Sequence, residues 1–241
     1  MAWYKRAEER LVKFLMEDWQ RRGSHFLHIG LHAPLIPEFF WDSGFDVTVC
    51  EENHHAVEES LLRSGPRISY QLGKFDDLPF ENDSFDYAFF SLYATDAYRQ
   101  NFGLPSALQG KMFTETILAE LCRVAKQGVV FVAKNRFSLN KSKYQGKLCN
   151  PYGLWRESKA YCPKGRVRFA STGFVPRFAP KPLEFLNSSV SYLPFGALIG
   201  YGLTFNAPPV SGIGDFIKNE QRKLEQVSCM QRNASFEHVE K

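Results

Sequence analysis

The chain has 241 residues, 44% of them hydrophobic and 23% charged, with 13 prolines and 17 glycines. That is the composition of one globular domain with a sizeable core, and it excludes collagen-like, disordered and disulfide-dense classes. The net charge of +4 conceals a division: residues 1–120 hold 11 basic and 19 acidic side chains, residues 121–241 hold 19 and 7. Within 121–181 there are 14 Lys/Arg against the single acid Glu157, so that segment should attract something anionic.

Five cysteines (Cys50, Cys122, Cys149, Cys162, Cys229) form no C-x-x-C pair. Neither a zinc ribbon nor a redox motif is expected, and a reduced, cytoplasmic setting is. The uncharged stretch 185–214 is broken by Pro194, Pro208, Pro209 and five glycines, so no membrane span is expected. The N-terminus mixes charges among its apolar residues, which is not the pattern of a signal peptide.

In chain order, Trp3, Ala7, Leu11, Phe14, Leu15 and Trp19 recur at helical spacing until Gly23, which predicts a first helix. Its apolar face fits core packing, and the helix could also cover a ligand pocket. HFLHIG at 25–30 reads as a short buried strand, 35–43 as a helix with Pro37 in its first turn, and 45–50 as a second strand. A connecting helix over 51–63 and a third strand at 67–72 follow. The fourth strand, 85–92, is apolar on both faces, as a central parallel strand must be. Phe113, Ile117, Leu121 and Val124 mark a helix ended by Lys126-Gln127-Gly128, and 129–133 is a fifth strand. Later strand candidates are 167–169 or 173–178, and 196–205; a polar helix is expected at 215–227. This cadence predicts an α/β doubly wound, Rossmann-like parallel sheet. The expected organisation is one domain over 1–212, divided into an N-terminal helix (1–23), a core (24–135) and a lid with C-terminal strands (136–212), followed by a polar helix and tail (213–241).

Such a sheet binds ligands outside the carboxyl ends of its strands, at the switch point. Strand two ends in Glu51-Glu52, and an acid there is placed to accept hydrogen bonds from two neighbouring ribose hydroxyls. Before strand four stand Leu78-Pro79-Phe80 and Ser84-Phe85-Asp86, and before strand five Arg123-Val124-Ala125-Lys126-Gln127-Gly128-Val129. These pieces, in this order, resemble class I S-adenosylmethionine-dependent methyltransferases, in particular the small-molecule, methyltransferase type 11-like group. The resemblance covers 24–135, and extends loosely through Trp155, Gly173-Phe174 and 196–205. It implies a mostly parallel seven-stranded sheet with an antiparallel last strand, S-adenosyl-L-methionine as cofactor, and methyl transfer as the activity.

The first motif departs from that family, whose pattern is an acid followed by a glycine-rich turn, D-x-G-x-G-x-G. Here the run is His28-Ile29-Gly30-Leu31-His32-Ala33-Pro34. Gly30 remains, His32 and Pro34 take two other glycine positions, and an imidazole replaces the acid that faces the cofactor's ammonium. Where the family has an acid for the adenine amino group stands Lys74, followed by Phe75, which can still cover the ring. The resemblance thus implies a cofactor-binding set of His28, Gly30, His32, Glu51, Glu52, Lys74, Phe75, Ser91 and Leu92. Two readings stay open: a methyltransferase that rebuilds the amino-acid end through His28 and His32, or a non-catalytic binding or regulatory module with a lost or altered cofactor site.

Methyl transfer from a sulfonium mostly needs alignment and desolvation, with a general base optional, so no catalytic residue is named. By position, Tyr93, Asp96, Tyr98, Asn135, Arg136 and Arg156 are the substrate-side candidates, with 137–165 as a lid. The acceptor is expected to be a small molecule, fitting an anion. The basic segment interleaves its cations with Phe137, Tyr144, Tyr152, Trp155, Tyr161, Phe169 and Phe174, a composition also suited to single-stranded nucleic acid; an RNA methyltransferase is therefore the alternative, and a solvated face balancing the acidic half is the bland one. His25, His28, His32, His54 and His55 are expected near the ends of strands one and two, without ligand spacing for a metal. Cys149 and Cys162, among lysines, read as surface thiols.

Overall fold

The structure is a computed structural model and describes residues 2–31, 36–92, 111–138, 148–174 and 189–205. The chain divides into two units, 1–205 and 206–241; the expected polar helix and tail lie in the second, outside the described residues.

Helix α1 (Ala2–Leu15) leads into β1 (His25–Ile29), α2 (Pro37–Asp42), β2 (Asp46–Glu51), α3 (His54–Ser64) and β3 (Ser69–Leu72). Then come β4 (Phe85–Ser91), α4 (Lys111–Val124), β5 (Ala125–Asn135), β6 (Leu148–Cys149), α5 (Pro151–Tyr161), β7 (Arg166–Thr172), β8 (Val190–Ser191) and β9 (Leu198–Thr204). The strands form one sheet in the order β3-β2-β1-β4-β5-β9-β7-β8, and β6 pairs parallel with β5 beyond β4's last partner. β1 to β5 are parallel, whereas β9 runs antiparallel between β5 and β7. The described residues thus add two two-residue strands, β6 and β8, to the seven expected.

Pleat alternation sorts the sheet residues onto two faces. Phe26, Val47, Val49, Phe89, Val130 and Val132 pack under α1 and α2, through Leu11, Val12, Leu15 and Phe40. Leu27, Ile29, Ala88, Phe90, Phe131 and Tyr201 pack under α4 and α5, through Ile117, Leu118, Leu121 and Leu154. Helices on both faces are what near-continuous apolar strands require.

Among the element boundaries that differ from the sequence reading, three have a clear tertiary reason. The first helix stops at Leu15, not near Gly23, because Trp19 leaves the helical path to stack on Tyr87 with ring centroids 4.2 Å apart. Arg166 and Arg168 from β7 both donate to Asp18 in the same turn. The second connecting helix starts at His54, capped by Asn53, which accepts from the His55 N–H at 2.9 Å; Glu51 stays in the strand. β5 starts at Ala125, four residues early, since Gly128 lets Trp19 and β9 close in: a Cβ there would meet the Leu203 carbonyl oxygen at 2.5 Å.

Two of the motifs that carry the family resemblance interlock here. The Arg123 guanidinium donates to the carbonyls of Phe80 (2.7 Å) and Leu78 (3.0 Å), and to Glu120, which in turn accepts from the Leu78 N–H at 2.9 Å. Leu78-Pro79-Phe80 and Arg123 are a joint between the β3–β4 connection and α4. Asp86 accepts from the His25 N–H (2.9 Å) and the Gln127 amide (2.6 Å), tying together the amino ends of β1, β4 and β5.

Candidate functional site

The strand order reverses between β1 and β4, so the crevice of this fold lies outside the carboxyl ends of those strands. Gly30 follows β1 with φ of +80°, a left-handed conformation that favours glycine. Its N–H donates to the Cys50 carbonyl at 2.9 Å. The next N–H, of Leu31, donates to Glu51 Oε2 at 2.7 Å, while Glu51 Oε1 accepts from the N–H groups of Glu52 (2.9 Å) and Asn53 (3.1 Å). One carboxylate therefore holds the turn after β1 against the end of β2. Burial pushes the Glu51 carboxyl above its ordinary range, and the three backbone donors pull it back down.

The loop after β3 is fastened to the same corner. Gly73 N–H donates to the Glu51 carbonyl at 3.1 Å, and Phe75 N–H to Glu52 Oε1 at 3.1 Å. Phe75 is buried, its ring edge-on to Phe90, while Lys74 is exposed and its backbone pairs with that of Asp77 in an isolated antiparallel β-bridge. Gly30, Glu51, Glu52, Lys74 and Phe75 are thus brought together at the carboxyl edge. Ser91 and Leu92 lie buried at the end of β4 on that edge. His28 is fully buried within β1, its ring 5.5 Å from Phe40 and 5.3 Å from Phe89. His32 lies outside the described residues.

The substrate-side candidates separate. Tyr93, Asp96 and Tyr98 lie outside the described residues. Asn135 is 2% exposed, and its side-chain amide donates to the carbonyls of Pro194 (2.7 Å) and Gly196 (2.8 Å) while its oxygen accepts from the Phe137 N–H. It clamps the approach to β9. Arg136 and Arg156 are exposed.

Other expectations are corrected. His25 stands at the amino end of β1, paired with Asp46, because the strand runs away from it; it does not join the other histidines. His54 and His55 are exposed beside Glu58. Among the described residues, no three His, Cys, Asp or Glu side chains are grouped to hold a metal. Cys149 and Cys162 are buried, since their thiols face the α4–α5 core, and burial pushes the Cys162 thiol up. The described cations of the basic segment do not share a face: Arg166 and Arg168 pair with Asp18 under α1, Arg123 with Glu120, and Arg156 and Lys159 ride on α5 on the opposite side.

One buried pair escaped the sequence reading. Glu8 of α1 is fully buried and its Oε1 accepts from the Ser91 hydroxyl at 2.9 Å. The signal was present: Glu8 stands three residues before Leu11 and four before Val12, on the stripe that an amphipathic helix reserves for apolar residues.

The sheet order, with one antiparallel strand inserted beside β5, is the fold of class I S-adenosylmethionine-dependent methyltransferases. Among solved structures the chain is similar to a structure of the complex of the Haloferax volcanii Trm112 methyltransferase activator with its partner protein, at 13% identity and a TM-score of 0.54, covering 86% of this chain and 96% of that one. A SAM-dependent methyltransferase from Methanosarcina mazei matches at 13% identity and a TM-score of 0.53, over 80% and 96% of the two chains. A TehB-like SAM-dependent methyltransferase from Corynebacterium glutamicum matches at 13% and 0.53, over 84% and 88%. At these identities the likeness is one of fold. No family model matches the chain, and no curated protein matches it in sequence.

Proposed function

We propose that the protein is an S-adenosyl-L-methionine-dependent methyltransferase acting on a small acceptor. The observation that carries this reading is Glu51: a buried carboxylate at the carboxyl end of β2, bound to the turn that follows β1. Three backbone N–H groups offset the cost of burying that carboxylate, and its place at the end of β2 is the one a ribose would meet in this fold. The residues present fit an adenosyl group. Glu51 accepts from the ribose hydroxyls, Gly30 lets the backbone approach without a Cβ, and Phe75 with Leu92 supplies apolar cover for the purine. When bound, the cofactor supplies a sulfonium methyl group with an excellent leaving group. The protein's part is then to align and to exclude water, with the acceptor approaching over the ends of β4 and β5. Loss of glycines after Gly30 favours weaker cofactor binding than an unaltered turn would give.

The distribution of charge counts against a nucleic-acid acceptor, and with Arg136 and Arg156 exposed it gives a small anionic acceptor no support either. The described cations of 121–181 are divided between faces, and several are paired with acids of the first half, whereas a phosphate-tracking groove needs them on one side. Binding of single-stranded RNA that weakens steeply with rising salt would overturn this part of the reading.

The test is a calorimetric titration of the chain with S-adenosylmethionine and its demethylated product. Replacing Glu51 with glutamine should weaken binding by about 1.5–3 kcal/mol, the usual range for hydrogen bonds to a charged group. Because burial holds the Glu51 carboxyl above its ordinary range, wild-type affinity should also begin to fall at a higher pH than an exposed carboxylate allows, and the Glu51→Gln variant should lose that dependence. Undetectable binding to the wild type would favour the non-catalytic module instead.

A further inference from the structure

We propose that Glu8, on the N-terminal helix, supplies the negative charge that meets the ammonium group at the amino-acid end of the adenosyl cofactor, a task the first motif has given up by placing His28 where an acid is expected. The inference rests on the adenosyl reading of the site. Three observations locate Glu8 at the right point. Its carboxylate accepts from the Ser91 hydroxyl at 2.9 Å, and Ser91 stands one step beyond the Ile29–Phe90 pair of the β1–β4 ladder, beside Gly30. Ser91 shares its sheet face with Phe89, the register partner of His28, so Glu8 approaches the strand ends on the side that His28 occupies. Glu8 is also fully buried, on a helix face where an apolar side chain would pack at no electrostatic cost.

A carboxylate in that setting stabilises a cation strongly, since little water screens it. His28, packed against Phe40 and Phe89, carries no carboxylate, so the acid has in effect moved from β1 to the helix that packs on β5, β9 and β7 on the same side of the sheet. Lys134, also buried, stands two residues beyond Val132, the partner of Ser91 on β5, and offers the competing role for Glu8 as an internal counter-ion.

Two ligands separate these roles. S-adenosylhomocysteine carries the ammonium; 5′-methylthioadenosine has the same nucleoside and thioether but lacks the amino-acid end. Titrated calorimetrically into the full chain, Glu8→Gln should weaken S-adenosylhomocysteine about 10- to 100-fold and leave methylthioadenosine within about two-fold. Ser91→Ala, which only releases the orienting hydroxyl, should give a smaller loss with the same selectivity, and it carries the test if Glu8→Gln does not fold. Equal weakening of both ligands, or none, would overturn the assignment and leave Glu8 as a structural counter-ion. A wild type that binds both ligands while the variants show no selectivity defeats this inference alone; a wild type that binds neither defeats the adenosyl reading with it.

Discussion

Replacing Phe89 with alanine should destabilise the protein by about 3–5 kcal/mol, the range for removing a fully buried aromatic ring. Phe89 sits in β4, between β1 and β5, and is completely buried. Its ring lies 5.0 Å from Phe40 and 5.3 Å from His28, and Phe40 in turn stacks on Phe26 at 4.4 Å. The surrounding rings are fixed by a sheet below and by α2 above, so the site has little freedom to collapse and most of the cavity should remain. Urea denaturation reads the effect as a lower midpoint with an unchanged slope. A loss below about 1.5 kcal/mol would mean that α2 settles onto the sheet and closes the gap.

Arg123→Ala should cost about 2–4 kcal/mol, less than a wholly buried pair because both partners are partly exposed. The loss combines four groups that lose this donor: the carbonyls of Leu78 and Phe80, the side-chain oxygen of Asn82, and the Glu120 carboxylate. The pH dependence provides an independent check. The Arg123 hydrogen bond holds the Glu120 carboxyl below its ordinary range, so its contribution is present above the unfolded-state value and is lost as pH falls through the lower folded value. The variant should therefore lose stability at neutral pH and show a flatter acid limb. Glu51 acts with the opposite sign: its raised carboxyl favours the fold below the unfolded-state value and loses that contribution as pH rises through the folded value. An Arg123→Ala variant with the wild-type acid limb would show that Glu120 keeps its low value through another partner.

The motifs that made this fold recognisable in the sequence turn out to hold it together. Arg123 and Leu78-Pro79-Phe80 join α4 to the loop before β4, and Asp86 gathers the amino ends of three strands. Neither lies at the crevice. Glu51, by contrast, stands at the edge of the crevice, a position legible in the sequence because the end of β2 is a fixed place in a doubly wound sheet.

By itself the sequence determined the alternation of apolar strands and amphipathic helices, hence the parallel sheet and its covering on both faces. These follow from periodicities of two and 3.6 residues, which are local. Only the tertiary structure decided what required a second element. Trp19 leaves the first helix because Tyr87 offers its ring. Cys149 and Cys162 turn inward because a core stands behind them. The cations at 166 and 168 are neutralised by an acid almost 150 residues away in the chain. Glu8 reaches Ser91 for the same reason: the pairing of charges and donors across the fold depends on distance in space, and no pattern along the chain encodes it.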